Sequence, residues 1–383
     1  MIFRILEDQF AQKSKATKAA DLRFMQLALA LGRRGPGRTC PNPAVGAVIV
    51  KDGVIVGRGW TQPGGRPHAE VEALRRAGEA ARGATLYVTL EPCSHFGRSP
   101  PCADAVVAAG LARVVSAIED PNPEVAGQGH ARLRAAGIAV DVGLCAAEAA
   151  HDHAGHFRRI RDKRPHVILK LAVSADDRIA AAGYRPVAIT GDAARTRVHL
   201  LRAQCDAILV GIGTVKADDP LLTCRLPGMA GRSPVRVVLD RALRMPGNSR
   251  LVRSARQTPL WVMTSDVAEA PAAMKLGAAG AEVIRVASTS TPPGLELPAV
   301  LHALADRGIT RLMVEGGARV AGSFIASDLV DEIWLLRGPD TVGADGVPAL
   351  DALPLTAITQ SQAFRLRASE TLGKDILTVY DRS

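Results

Sequence analysis

The sequence predicts an α/β protein of two domains, and three observations carry this expectation. At 383 residues the chain exceeds one ordinary core, and 47% of it is hydrophobic, which suits two cores. Apolar strand-like runs alternate with helical patterns through both halves, as mainly parallel sheets require. Between the halves, Glu148 to Pro165 is crowded with His151, His153, His156, Arg158, Arg159, Arg161, Lys163 and Arg164. A charge run of this kind reads as a solvated helix and linker, and more readily so than as a three-histidine metal site. The expected division is a loose leader over 1–18, a first domain over 19–147, a linker over 148–164 and a second domain over 165–383.

In the first half, Leu22, Met25 and Leu29 lie near helical spacing and predict a helix over Ala20 to Gly32. Thr39 to Pro43 holds two prolines and an Asn, hence a loop. Val45 to Val50 and Val54 to Gly57 flank Lys51-Asp52-Gly53, a hairpin signal. A second helix runs from about His68 to Arg76, and Thr85 to Leu90 is a strand. Pro100-Pro101 opens a third helix, because proline suits the first helical turn. Strand Val114 to Ile118, helix Gln128 to Ala136 and strand Ile138 to Val142 complete the half.

In the second half the expected strands are Val167 to Val173, Ala207 to Gly211, Val235 to Asp240, Leu260 to Thr264, Val283 to Val286, Arg311 to Glu315 and Glu332 to Leu336. Helices are expected over Ala193 to Gln204, Leu297 to Gly308 and Gly317 to Ser327. A C-terminal loop then leads to a last strand near Ile376 to Tyr380. No internal repeat or low-complexity tract interrupts this pattern.

The chemistry of the first half rests on His68-Ala69-Glu70, followed by Pro92-Cys93 and Pro101-Cys102. One imidazole and two thiolates make three zinc ligands, and a catalytic zinc keeps its fourth position open. Glu70 remains as a proton carrier, which makes chemical sense beside an open site. The order matches the signature of zinc deaminases, H-x-E then P-C-x-x-C, except that Ser94 to Pro101 stretch the second part. The rival readings are a closed zinc knuckle or two buried free thiols. A closed knuckle needs a fourth donor, and His95 lies awkwardly close to Cys93. Cys102, near a helix N-terminus, is placed for ionisation by the helix dipole.

Composition narrows the rest. Lys plus Arg exceed Asp plus Glu by ten, 48 against 38. The excess is spread along the chain, which fits a phosphate-bearing small molecule better than a nucleic-acid patch. Aromatics are 3% of residues, too few for base-stacking platforms. No run reaches membrane-spanning length and no apolar signal segment opens the chain, so a reducing cytoplasm is expected for the six cysteines.

The second half lacks a G-x-G-x-x-G after a strand. It does place Val314-Glu315-Gly316-Gly317 where a strand opens a helix. Ligands of open α/β sheets bind at such carboxyl ends, but a plain strand-to-helix turn has the same pattern. Gly211 to Thr214 with Asp218-Asp219-Pro220 forms a second loop of this kind. Arg202 and Arg225 could clamp a phosphate or simply lie on the surface.

Taken together, these motifs resemble the bifunctional deaminase–reductase family of riboflavin biosynthesis over nearly the whole chain. The carrying stretches are Pro41 to Gly46, His68 to Val71, Thr89 to His95 with Gly97-Arg98 and Pro100 to Cys102, and Asp120 to Pro123. In the second half they are Leu169 to Leu171 with Ser174 and Asp176, Leu201 to Ala203, Thr214 to Pro220, and Val314 to Gly317. The resemblance implies a cytidine-deaminase-like α/β/α zinc domain followed by a dihydrofolate-reductase-like α/β domain. It implies hydrolytic deamination of a diaminopyrimidinone bearing a ribosylamino phosphate, then NADPH-dependent reduction of ribose to ribitol. His68, Cys93 and Cys102 would hold one Zn2+ per chain and Glu70 would move the protons. Ala172, Thr214, Asp218 and the turn Gly317, Ala318, Arg319, Val320, Ala321, Gly322 and Ser323 would lie at NADPH. Arg202, Leu222, Arg225 and Glu315 would lie at the substrate, with Lys170, Asp176 and Asn42 as further polar candidates. The implied partner is a small phosphorylated pyrimidine, with no nucleic acid or membrane, in a homo-oligomer.

The chain departs from the family pattern in three places: Asp177 follows Asp176 where glycine is usual, 183–188 reads Gly-Tyr-Arg-Pro-Val-Ala, and Arg241 replaces a common Ser. The competing functional expectation is a deaminase of another base or nucleoside whose second domain binds nucleotide without reducing anything. A non-catalytic zinc protein is the remaining class.

Overall fold

The computed structural model describes residues 18–97, 99–290 and 293–383. The leader expected over 1–18 therefore lies outside the described residues except for Lys18, and so does Arg98 of the cysteine loop. The chain divides into two units, one ending at Asp162 and the other beginning at Lys163.

The first unit opens with helix α1 (residues 18–32). It continues through β1 (Gly46–Lys51), β2 (Val54–Trp60), α2 (Ala69–Ala77), β3 (Thr85–Val88), α3 (Cys102–Ala108), β4 (Arg113–Ser116), α4 (Gln128–Ala135), β5 (Ala139–Val142), α5 (Ala146–Asp152) and α6 (Ala154–Asp162). Its sheet runs β2-β1-β3-β4-β5; β1 is antiparallel to both neighbours, and β3, β4 and β5 are parallel. The period-two pattern of β1 explains the layering. Ala47 and Ile49 enter one core with Ala69, Ala73, Val106, Leu133 and Phe157, while Val48 and Val50 enter another with Phe24, Met25, Ala28 and Ala149. Helices thus cover both faces. A Cβ on Gly59 would lie 2.1 Å from the Ala69 carbonyl oxygen, so the first turn of α2 sits directly on β2.

Residues 148–162 differ from the solvated linker that their charge suggested. They form α5 and α6, and Ala149, His153 and Phe157 are buried. The run mixes an inward stripe with an outward basic face, and composition alone registers only the latter.

The second unit carries β6 (His166–Val173), β7 (Arg178–Ala180), α7 (Asp192–Ala203), β8 (Ala207–Gly211), α8 (Ile212–Asp218), β9 (Val235–Leu239), α9 (Arg250–Arg253), β10 (Leu260–Ser265), α10 (Ala270–Ala278) and β11 (Glu282–Val286). After these come β12 (Ser288–Ser290), β13 (Pro293–Leu295), α11 (Leu297–Asp306), β14 (Arg311–Val314), α12 (Ala318–Ala326), β15 (Glu332–Arg337), β16 (Val347–Pro348), α13 (Thr356–Thr359), β17 (Phe364–Leu372) and β18 (Asp375–Arg382). Among the described residues the main sheet has nine strands in the order β11-β10-β9-β8-β14-β6-β15-β18-β17. It is parallel from β11 to β15 and closes with an antiparallel hairpin. Val167, Leu169, Leu171 and Val173 of β6 face one core and Ile168 faces the other. Strands buried on both faces read as continuous apolar runs, and that is why they were legible.

Part of the C-terminal loop expected before the last strand, Phe364–Leu372, is instead strand β17. Its residues are exposed or half-buried from Phe364 to Leu372, because it is the sheet's edge and pairs on one side with β18. With no buried face it has no apolar alternation to read.

Candidate active sites

In the first unit, α2 and α3 bring the zinc-type donors together. His68 stands immediately before α2, and Cys102 is the first residue of α3. Cys93 lies on the loop leaving β3. His68 Nδ1 is 3.3 Å from Cys102 Sγ and 3.7 Å from Cys93 Sγ, and the three donor atoms all lie within 4.8 Å of one another. Two ligands of one tetrahedral zinc, at roughly 2.3 Å for sulfur and 2.0–2.1 Å for nitrogen, stand about 3.5 Å apart. The donor set and its spacing therefore fit zinc. Among the described residues no fourth His or Cys joins this cluster, so a closed knuckle is not built here.

The electrostatics agree with a ligand set. The Cys102 thiol hydrogen-bonds Cys93, and this, against the opposing effect of burial, with help from His68 and the Cys102 backbone N–H, pulls the Cys93 thiol down to about 4. Cys102 itself is pushed up, chiefly by that same bond to Cys93 and by burial. At Cys102 the influence of the helix terminus is thus outweighed by the bond to Cys93 and by burial. Zinc would take both sulfurs as thiolates. Glu70, in the first turn of α2, is 3% exposed. Burial pushes its carboxyl up to about 7, opposed by His68. A carboxyl poised near neutrality can both take and give a proton.

Asn42 is adjacent in the chain topology rather than in the donor cluster: its Nδ2 donates to the Gly65 carbonyl at 3.0 Å, three residues before His68. Among the described residues the junction histidines make no cluster of metal-ligand spacing. His153 Nε2 is 3.1 Å from Thr89 Oγ1, and His156 Nε2 is 3.2 Å from Asp120. They bind different partners.

In the second unit, Lys170, Arg202 and Glu315 converge at the carboxyl end of β14. Glu315 accepts from Lys170 Nζ at 3.2 Å and from Arg202 Nη2 at 2.7 Å. Burial alone would raise its carboxyl, but Arg202 first and Lys170 second hold it down to about 2. Arg225 borders this group; it lies close enough to Arg202 and Arg250 that, beside burial, both lower its pKa. Arg250 and His199, whose Nδ1 accepts from the Arg225 N–H at 3.4 Å, do not stand out in the sequence. A surface-type Arg on a four-residue helix carries no readable signal.

The Gly316-Gly317 turn is also placed. Gly317 precedes α12 and donates its N–H to Thr214 Oγ1 at 3.1 Å, which joins the two loops that sequence pattern marked separately. Val320 and Gly211 are close neighbours there, since a Cβ on Gly211 would come within 2.8 Å of Val320. Asp218 ends α8 and its carboxyl is raised by burial. Leu222 is buried in a left-handed conformation (φ 56°), and Ala172 lies near the end of β6.

Asp176 is engaged as a loop anchor. Its carboxylate accepts from Ser174 Oγ at 2.6 Å and from the N–H groups of Val342 and Gly343 at 2.9 and 2.8 Å, and these bonds hold its pKa well below the ordinary range. Among the described residues, its hydrogen bonds reach Ser174, Val342 and Gly343 rather than Lys170 or Glu315. The next residue, Asp177, has φ 64°, which explains why glycine is usual there. Asp177 pairs with Arg337 at 2.6 Å. Asp tolerates the left-handed region better than most residues. Asp177→Gly is therefore expected to leave the thermal midpoint within a few degrees of the parent, and Asp177→Ala to cost about 1 kcal/mol. Thermal unfolding of the two variants checks this.

Comparison with known proteins follows the same division. Residues 18–118 match the cytidine and deoxycytidylate deaminase zinc-binding region, and residues 165–378 match the RibD C-terminal domain. The chain is 41% identical over 362 residues to the riboflavin biosynthesis protein RibD of Aquifex aeolicus, covering 94% of this chain and 98% of that protein. It is 42% identical over 366 residues to the Escherichia coli RibD, covering 92% and 97%. The solved structure of Acinetobacter baumannii RibD superposes with a TM-score of 0.85 at 37% identity, covering 96% of this chain and 99% of that one. A diaminohydroxyphosphoribosylaminopyrimidine deaminase/5-amino-6-(5-phosphoribosylamino)uracil reductase from Thermotoga maritima gives 0.83 at 33% identity, covering 96% and 100%.

Proposed function

The chain belongs to the RibD family of riboflavin-biosynthesis proteins, and from that membership we propose how its residues divide two reactions between the two units. It is a bifunctional deaminase and reductase: a hydrolase that uses zinc and an oxidoreductase that uses NADPH. The substrate is the diaminopyrimidinone with a ribosylamino phosphate, deaminated in the first unit and reduced in the second.

In the deaminase unit His68, Cys93 and Cys102 hold zinc, which when bound supplies Lewis acidity that brings water toward its nucleophilic form at neutral pH. Glu70 receives the proton released as the water oxygen bonds the amino-bearing carbon. It returns protons to the departing nitrogen as the C–N bond breaks, and ammonia leaves. Its burial keeps competing water away from the carboxyl.

In the reductase unit Gly317 to Ser323, Thr214, Asp218 and Ala172 would hold NADPH, which when bound would supply a hydride to the sugar C1′. Ring opening also consumes one proton, and Lys170, an ammonium anchored at 3.2 Å from Glu315, is placed to give it. Arg202, Arg225, Leu222 and Glu315 orient the substrate. No G-x-G-x-x-G would be needed here, because the N–H groups at the start of α12 would be free to hold a cofactor phosphate.

The single observation carrying the reading is the meeting of His68, Cys93 and Cys102 beside buried Glu70 in a chain whose second unit is a RibD reductase domain. We also propose a homo-oligomer, supported by the exposed nine-residue edge strand β17, and residence in the cytoplasm, supported by six free cysteines. Among the described residues no helix is long and apolar enough to cross a membrane.

Zinc-loaded protein given the substrate and NADPH is expected to release ammonia and consume NADPH together. Ammonia alone would leave a deaminase whose second unit does not reduce. Neither signal, with zinc bound, would overturn the assignment of substrate.

A further inference from the structure

We infer that Glu91, together with Arg132 on α4, is a positioning device that fixes the Cys93 loop for zinc. The inference rests on the zinc reading above and adds residues that touch neither metal nor substrate.

Glu91 is two residues before Cys93, and its side chain is wholly buried. Among the described residues the one ion-pair neighbour is His130 Nδ1 at 3.8 Å, whose charged form burial disfavours. Its carboxylate is instead filled by backbone: Oε2 accepts from Asp120 N at 3.2 Å and Gly127 N at 3.0 Å, and Oε1 accepts from His130 N at 3.1 Å. Glu91, Glu119 and His130 have the spacing of a metal site. However, three N–H donors already occupy the Glu91 oxygens, so the group reads as an anchor. Hydrogen bonds to a charged group are among the stronger ones, and the burial of an otherwise unpaired carboxylate demands them.

The anchor has a direction. It draws the first turn of α4 onto the segment that carries Cys93. A Cβ on Gly129 would lie 2.1 Å from the Pro92 carbonyl oxygen, so helix and loop are in direct backbone contact. Arg132, one turn on, donates from Nη1 to the Ser94 carbonyl at 3.1 Å and pairs through Nε with Asp104 of α3 at 2.7 Å. Residues 91, 92 and 94 are thus held on both sides of Cys93, and α3, which begins with Cys102, is tied to the same helix. The separation of the two sulfurs is set by this frame. It compensates for the eight residues between them, which a short C-x-x-C would not need.

Groups behind metal ligands typically change metal affinity by 10–100-fold when removed. Glu91→Gln keeps the shape but turns an N–H donor toward backbone N–H groups. Its zinc dissociation constant is expected to rise by about 10–100-fold, and Arg132→Ala to raise it by about tenfold. The measurement is bound zinc in full-length protein equilibrated across buffered free-zinc concentrations, with thermal unfolding of the same samples. Ammonia release by both variants is expected to recover in excess zinc, and Arg132→Lys to restore part of the affinity. A merely structural role would lower the thermal midpoint while zinc affinity stayed within twofold of the parent, and that result overturns the inference. Arg132 is partly exposed, so its variant keeps the test open if Glu91→Gln does not fold. Absence of zinc from the parent itself would instead strike the zinc reading.

Discussion

Glu70→Gln is expected to retain zinc and lose deamination by about 10²–10⁴-fold, the usual contribution of a positioned general acid–base. The change is nearly isosteric, so the donors His68, Cys93 and Cys102 keep their spacing. What disappears is a group that can exchange protons: burial pushes the Glu70 carboxyl up to about 7, whereas an amide does not titrate. NADPH oxidation with the already deaminated substrate should be unchanged, because Glu315, Lys170 and Arg202 lie in the other unit. Zinc content, ammonia release and NADPH oxidation on one preparation distinguish the outcomes. Ammonia release at the parent rate would remove Glu70 from the reaction.

Glu315→Gln should do the converse. NADPH oxidation should fall by at least about tenfold through lost substrate orientation, while ammonia release persists. Stability should fall by about 3 kcal/mol, because Lys170 and Arg202 are left as mostly buried cations without their carboxylate. The pH dependence has a definite sign. The folded-state carboxyl is depressed from 4.5 to about 2, so the unfolded state binds the proton more readily. Its stabilising contribution is complete above pH 4.5 and is lost as pH falls toward 2. Acid unfolding of Glu315→Gln should therefore show a flatter profile across that window. An unchanged acid profile would mean that the triad of charges does not form in solution.

The two experiments separate the units cleanly, and the variants around Glu91 report on a third property, metal affinity. Asp177→Gly serves as the quiet control: it changes a position that departs from the family and is expected to change little else.

Much of this protein was determined by sequence alone. His68-Ala69-Glu70, Pro92-Cys93 and Pro101-Cys102 specify their chemistry through residue type and order, because few side chains bind zinc and fewer leave a carboxylate beside it. The parallel strands were equally plain, since burial on both faces writes unbroken apolar runs such as Val167 to Leu169 and Ala207 to Val210. Tertiary structure decided what pairwise distance alone can decide. β17 has no buried face and so no pattern, and its identity as a strand comes from its partner β18. His153 and His156 looked like solvent-facing or metal-binding residues until Thr89 and Asp120 were found opposite them. Asp176 reads in the sequence as a further polar candidate at the substrate; only the structure adds that its carboxylate holds the 342–343 backbone. The role of Glu91 depends on N–H groups 29, 36 and 39 residues away. Local periodicity records which face of an element is buried; it carries no record of which distant backbone group a buried charge must find.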